Sequence, residues 1–129
     1  MKNLFAVLIM ALSMNVLAQT TSQWKVQYAW QGFKMENVSS KKATILIAIA
    51  ENKISGTTGC NKFQGNLQYL KGDKIKPIKL VNTKDKCPKD PDPVDQAIMK
   101  ALSTSDKLVI NLDKAKFYHG EKLVLELNR

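Results

Sequence analysis

The sequence predicts an α+β domain: a strongly curved, mainly antiparallel sheet of seven or eight short strands, barrel-like in outline, with one short helix. Three observations lead there. Apolar and polar residues alternate over most of the chain, which is the period of a half-buried strand. Spacing of four occurs in one stretch only, at Val94, Ile98 and Leu102. Turn-forming pairs such as Glu51-Asn52, Gly72-Asp73 and His119-Gly120 separate the alternating segments at the short intervals that antiparallel connections need.

Residues 1–18 carry a secretory leader pattern. Lys2 gives the positive start, residues 4–12 are an almost unbroken apolar run, and Val16, Leu17 and Ala18 offer a small-residue cleavage site. Ser13 and Asn15 interrupt the run well short of the ~20 apolar residues that span a bilayer, so a cleaved leader is expected rather than an anchor. The mature chain then begins at Gln19 and keeps 111 of the 129 residues, a single domain over residues 19–129. It has no second apolar run and no Cys at the new terminus for lipid attachment. An exported, soluble protein, periplasmic or secreted, follows as the expectation.

The mature chain opens on strict alternation, with Trp24, Val26, Tyr28 and Trp30 on one face and Lys25, Gln27 and Ala29 on the other. Aromatics so placed are read first as core; lining of an apolar ligand cavity is the rival reading. Residues 31–42 are polar and serve as a connection, and the Asn37-Val38-Ser39 sequon within them is short enough to arise by chance. Residues 43–50 are apolar apart from Thr44, which suits a strand covered on both faces. Glu51-Asn52 turns the chain into a second strand over residues 53–57.

Gly56, Gly59 and Gly65 crowd the next stretch, where they mark a bulge or a close strand approach rather than a phosphate loop, because no GxGxxG or Walker spacing is present. Phe63, Leu67 and Tyr69 carry a further strand, and residues 74–80 form a Lys-rich one around Pro77, which belongs at a sheet edge. Asp92 caps the helix with Pro93 at its first position, and Val94, Ala97, Ile98, Ala101 and Leu102 form its apolar face. Alternation resumes at Leu108, Ile110 and Leu112, continues through Ala115 and Phe117, and ends with Leu123, Leu125 and Leu127. Closing such a sheet into a small barrel would remove its edges.

Net charge is +9, or +8 once Lys2 leaves with the leader. Of the twenty basic residues all but Arg129 are Lys, so the guanidinium forks that read bases or clamp phosphate are missing and no nucleic-acid role is expected. An attraction to anionic envelope polymers or surfaces would follow from the same charge.

Each cysteine lies in its own motif: Gly59-Cys60-Asn61 with Phe63 and Gly65, and Thr83 four residues before Cys87. In an exported chain two cysteines allow one intramolecular bridge, and a structural role outweighs a catalytic one. These motifs, together with Trp24 in the first strand, Ile54-Ser55-Gly56, the helix and the closing Gly120-x-x-Leu123-x-Leu125, resemble the META domain family of HslJ-like heat-shock and secreted proteins. The likeness spans nearly all of the mature chain. It departs from the family pattern at Asp85 and Lys86, where apolar or small residues are usual, which predicts an exposed loop, and at Asp95, where the helix often opens with Glu. The resemblance implies a Cys60–Cys87 disulfide, an envelope or secreted location and loose links to stress tolerance, motility or virulence, and it supplies no catalytic residues. Such a bridge would add roughly 3 to 4 kcal/mol on the chain-entropy account.

Other chemistry finds little support. His119, the single histidine, stands before Gly120 in an expected surface turn with no nucleophile or orienting acid signalled beside it. Two Cys and one His without CxxC or HxxxH spacing make no metal site, and no cofactor is expected. Asn61 and Thr83 are expected to hydrogen-bond backbone where the two cysteine segments meet. Asp92 and Asp95 fall in the first helical turn, where negative charge complements the dipole. The expected function is therefore that of an exported, non-enzymatic module, monomeric, that binds an envelope protein or glycan in a stress-related role. A small apolar-ligand carrier and an inhibitor of a secreted hydrolase are the alternatives.

Overall fold

A computed structural model describes residues 21–85, 87–88 and 92–129. The expected leader over 1–18, Lys86 and Pro91 of the Pro-Asp-Pro helix start lie outside the described residues. Among the described residues nine strands form one antiparallel sheet: β1 (Thr21–Trp30), β2 (Met35–Asn37), β3 (Thr44–Ala48), β4 (Lys53–Thr57), β5 (Lys62–Asn66), β6 (Leu80–Asn82), β7 (Lys107–Ile110), β8 (Lys114–His119) and β9 (Lys122–Asn128). Their order is β6-β5-β4-β3-β1-β9-β8-β7, with β2 paired to β1 off this path. Helix α1 (Pro93–Thr104) packs against β1, β8 and β9. The α+β class, the antiparallel pairing and the one α-helix among the described residues agree with the sequence reading.

Strand β1 is the axis of the sheet. Along Thr21 to Lys25 it pairs with β3, along Tyr28 to Trp30 with β2, and on its other edge with β9. The β1–β9 register shifts between Val26 and Tyr28, so Gln27 is an extra residue on β1. A one-residue shift exchanges the two faces of a strand. Trp24 and Val26 are buried before the bulge, Ala29 is buried after it, and Tyr28 and Trp30 become half-exposed. The expected single face of Trp24, Val26, Tyr28 and Trp30 is thus divided in two.

Other local expectations are corrected by packing. Ile45 and Ile47 of β3 are buried while Leu46 is 41% exposed, so β3 has one covered face rather than two. The polar connection of residues 31–42 contains β2 and a 3-10 turn (Ser39–Lys41) and buries Val38. Strand β5 ends at Asn66, so Tyr69 is not part of it, and the segment around Pro77 is not a regular strand. Leu112 belongs to the β7–β8 turn, at 89% exposure.

The sheet curls without closing, and β6 and β7 do not pair. The long connection between β5 and β6 covers the outer edge of β7 instead: Leu108 N donates to Asp73 O at 2.9 Å and Ile75 N to Asp106 O at 3.0 Å. Tyr69 adds a bond from its hydroxyl to Leu108 O at 3.1 Å. Burial, and then the Asp73 carboxylate, push the phenol above its ordinary pKa, so this donor keeps its proton in mildly alkaline solution. A covered edge serves the purpose expected of barrel closure, since it hides unpaired backbone groups.

Inside the curl, Trp24, Ile45, Ile47, Phe117, Leu108, Leu125 and Leu127 are fully buried against Ile98 and Leu102 of the helix. Helix α1 is capped as its sequence dictates, with Asp92 Oδ1 accepting from Val94 N at 2.9 Å and Asp95 N at 3.3 Å.

The tightest backbone approach is at Gly56, opposite Ile45 in the β3–β4 pair, where an added Cβ would collide with the Thr44 carbonyl oxygen. Gly56→Ala is expected to cost at least about 1 to 3 kcal/mol by forcing the two strands apart, whereas Ser55→Ala beside it stays within about 0.5 kcal/mol. Urea unfolding midpoints of the two variants check this.

Candidate functional site

Two arrangements of side chains stand out, one around the cysteines and one along the helix. The first begins in the β4–β5 turn. Gly59 there has φ of +96°, and a Cβ on it would lie 2.5 Å from Lys41 O, so the position requires glycine. Cys60 beside it is bonded to Cys87, with the two Cα atoms 5.6 Å apart. This is the disulfide that the resemblance implied.

A polar network surrounds the bridge. Asn61, 8% exposed, accepts from Asp85 N through Oδ1 at 2.8 Å and donates through Nδ2 to Asp95 Oδ1 at 3.2 Å. Thr58, 2% exposed, donates to the same Asp95 oxygen at 2.6 Å and accepts from Asn61 N at 3.1 Å. Thr83 Oγ1 accepts from Lys62 N at 3.0 Å and donates to Asp85 Oδ2 at 2.8 Å. Asn61 therefore ties three segments together: the β4–β5 turn, the chain leading to Cys87 and the first turn of α1. Thr83 and Asp85 lie exposed on the outer side of this junction.

Of the remaining motif residues, Trp24 and Phe63 are core, and Gly65 faces Lys79 O, which a Cβ would approach to 2.8 Å. Thr58, Asn61, Thr83, Asp85 and Asp95 each have a structural partner in this cluster. The composition of the helix start suggested only a dipole role for Asp95. Its use as an acceptor for Thr58 and Asn61 depends on where the β4–β5 turn meets the helix, which no local pattern encodes. Thr58 could have been noticed as a Thr three residues before Asn61, the spacing of a side-chain-to-backbone turn.

The second arrangement is a groove between α1 and the ends of β1, β8 and β9. Its deeper part, about 200 Å³, has Ala97, Ala101 and Val124 as floor, Trp30 and Lys122 on one wall and Lys100 on the helix wall. A shallower stretch of about 300 Å³ continues it past Gln31 toward Pro93 and Gln96. The groove exists because the helix presents Ala at two positions four apart, which leaves a trough where a larger residue would fill the space. Trp30, the last residue of β1, lines that trough and packs in part against the core. Lys122 Nζ sits 4.4 Å from the centre of the Trp30 ring, a cation–π contact that holds the ammonium over the groove. Lys100 and Lys122 were not singled out by sequence, because lysine is too common in this chain for two of them to mark a site.

His119 lies at one end of the groove. Its Nδ1 is 2.8 Å from Thr104 O and so donates there, and it stands 4.0 Å from Asp106 Oδ2. The same Asp106 carboxylate accepts from Gly120 N at 3.1 Å. The adjacent Thr104 hydroxyl donates to Lys100 O at 2.7 Å and the Ser103 hydroxyl to the same carbonyl at 3.2 Å. Imidazole and carboxylate here hold the helix end to the β8–β9 turn, and the hydroxyls close by are engaged within their own helix.

The family model described as META domain matches residues 17–129. No curated protein matches the chain. A protein from Burkholderia xenovorans solved by NMR shares the fold, with a TM-score of 0.62 at 18% identity over 84% of this chain and 81% of that one.

If Asn61 and Asp95 act as one unit, Asn61→Ala and Asp95→Ala should each cost about 1 to 3 kcal/mol, and the double variant clearly less than their sum. Denaturant unfolding of the four proteins gives the coupling directly; strict additivity would show that the contact is incidental.

Proposed function

The chain belongs to the META domain family, and from that membership we propose that it is an exported, non-enzymatic binding module of the cell envelope whose contact with another envelope component supports stress tolerance. The groove at Trp30 carries this reading. It offers an aromatic wall, a shallow apolar floor and two lysines, a combination suited to holding a partner. The META domain family is not a known enzyme family.

Export is supported by the Cys60–Cys87 disulfide, a bond that persists in oxidising compartments, and by the leader pattern of residues 1–18. Among the described residues no helix is long and apolar enough to cross a membrane. The side chains that fill the curl favour a surface contact over an internal ligand cavity.

A strain lacking the protein should lose viability under heat or envelope stress, and the unaltered chain should restore it. Trp30→Ala, exported to the same level, should fail to do so, while Leu112→Ala, which changes an exposed side chain away from the groove, should succeed. Intact mass of the exported protein should correspond to a start at Gln19. Full rescue by Trp30→Ala, or a strain that tolerates stress without the protein, would count against the reading.

A further inference from the structure

Resting on the binding role proposed above, we propose that the groove along α1 takes an extended acidic peptide segment of a partner protein, with one apolar side chain seated between Trp30 and the Ala97–Ala101 floor and flanking carboxylates on Lys100 and Lys122. Size, polarity and charge all bear on the choice of occupant.

The deeper part holds about 200 Å³, below the roughly 300 to 1,000 Å³ of sites that enclose a small molecule or an acyl chain. It accommodates one side chain. The shallower continuation along the helix provides room for the residues on either side of that anchor, as an extended segment requires.

Polarity argues against a sugar ring. The floor is Ala97, Ala101 and Val124, the Thr104 hydroxyl is committed to Lys100 O, and His119 Nδ1 to Thr104 O. A saccharide would turn hydroxyls toward that apolar floor, where each unpaired group carries a desolvation penalty.

Charge supplies the sign. Among the described residues that line the two stretches there is no Asp or Glu, while Lys100 and Lys122 stand on opposite walls and His119 at the end. Asp106 beside His119 is held by Gly120 N. Glu121, next to Lys122 in the β8–β9 turn, is exposed and is not among the lining residues. The net charge, +9 for the full chain and +8 without Lys2, adds a long-range attraction for the same anionic partner.

The test is fluorescence anisotropy with a labelled ten-residue synthetic peptide in which a central leucine is flanked by aspartates and glutamates. Binding in the micromolar range is expected, weakened at least tenfold by Trp30→Ala, by Lys100→Glu and by Lys122→Glu, and little changed by Lys53→Glu, which makes the same charge change on the far strand β4. Replacing the leucine by alanine should weaken binding by a similar factor. All variants are first checked for an unchanged thermal unfolding midpoint; Lys100→Glu and Lys122→Glu alter exposed side chains and keep the test valid if Trp30→Ala unfolds. No binding at millimolar peptide, equal weakening by Lys53→Glu, or preferential retention on anionic phospholipid vesicles or a polyuronic acid would overturn the proposal. If those results accompany loss of stress rescue by Trp30→Ala, the groove still binds a partner and only the peptide class is wrong.

Discussion

The extra residue at Gln27 governs how the aromatic residues of this domain are used. Strand β1 is the one strand that touches β2, β3 and β9, so a change of face within it is transmitted to the whole sheet. Before the bulge its inward residues are large, Trp24 and Val26. After it the inward residue is Ala29, small enough to let α1 lie close. The displaced backbone is not left unpaired: Val38 N donates to Gln27 O at 2.9 Å, and Gln27 Oε1 accepts from Asn128 Nδ2 at 3.1 Å. A second register shift, between Phe117 and Tyr118 of the β8–β9 pair, bends the neighbouring strands in the same region. Trp30, at the end of β1, packs against the core only in part and lines the groove.

Helix α1 links the two unusual parts of the molecule. Its first turn is fixed by Asp92 as cap and by Asp95 as acceptor for Thr58 and Asn61. The disulfide fastens the segment that leads into that turn to the same β4–β5 corner. Ile98 and Leu102 then enter the core, and Ala97 and Ala101 leave a trough beside Trp30. The cysteine motifs thus help to fix the position of one wall of the groove.

Much of this was legible in the amino-acid order, and the failures have a common cause. The start and apolar face of the helix were readable, because Asp92-Pro93 and the spacing of Val94, Ile98 and Leu102 are local signals that tertiary contacts reinforce. The β3–β4 and β8–β9 hairpins were readable from Asn52 and Gly120, both of which adopt positive φ. The division of Trp24 from Trp30 was not, since Lys-Val-Gln-Tyr alternates well and only pairing with β9 reveals the added residue. Residues 74–80 misled in the opposite way: their alternation is real, yet Pro77 and the pull of β7 on Asp73 and Ile75 take the chain out of the ladder. The groove depends on two alanines, a tryptophan and two lysines that lie far apart in the chain, so no motif could announce it.

The division of the two tryptophans can be measured directly, since the chain contains no others. Trp24 is fully buried and Trp30 half-exposed beside Lys122 and Lys100. In a Trp30→Phe protein the remaining emission should be blue-shifted and resistant to iodide. In a Trp24→Phe protein it should be red-shifted and strongly quenched, more by iodide than by neutral acrylamide, because the lysines concentrate the anion at the ring. Equal protection of both residues from quencher would place Trp24 and Trp30 on one buried face and contradict the account.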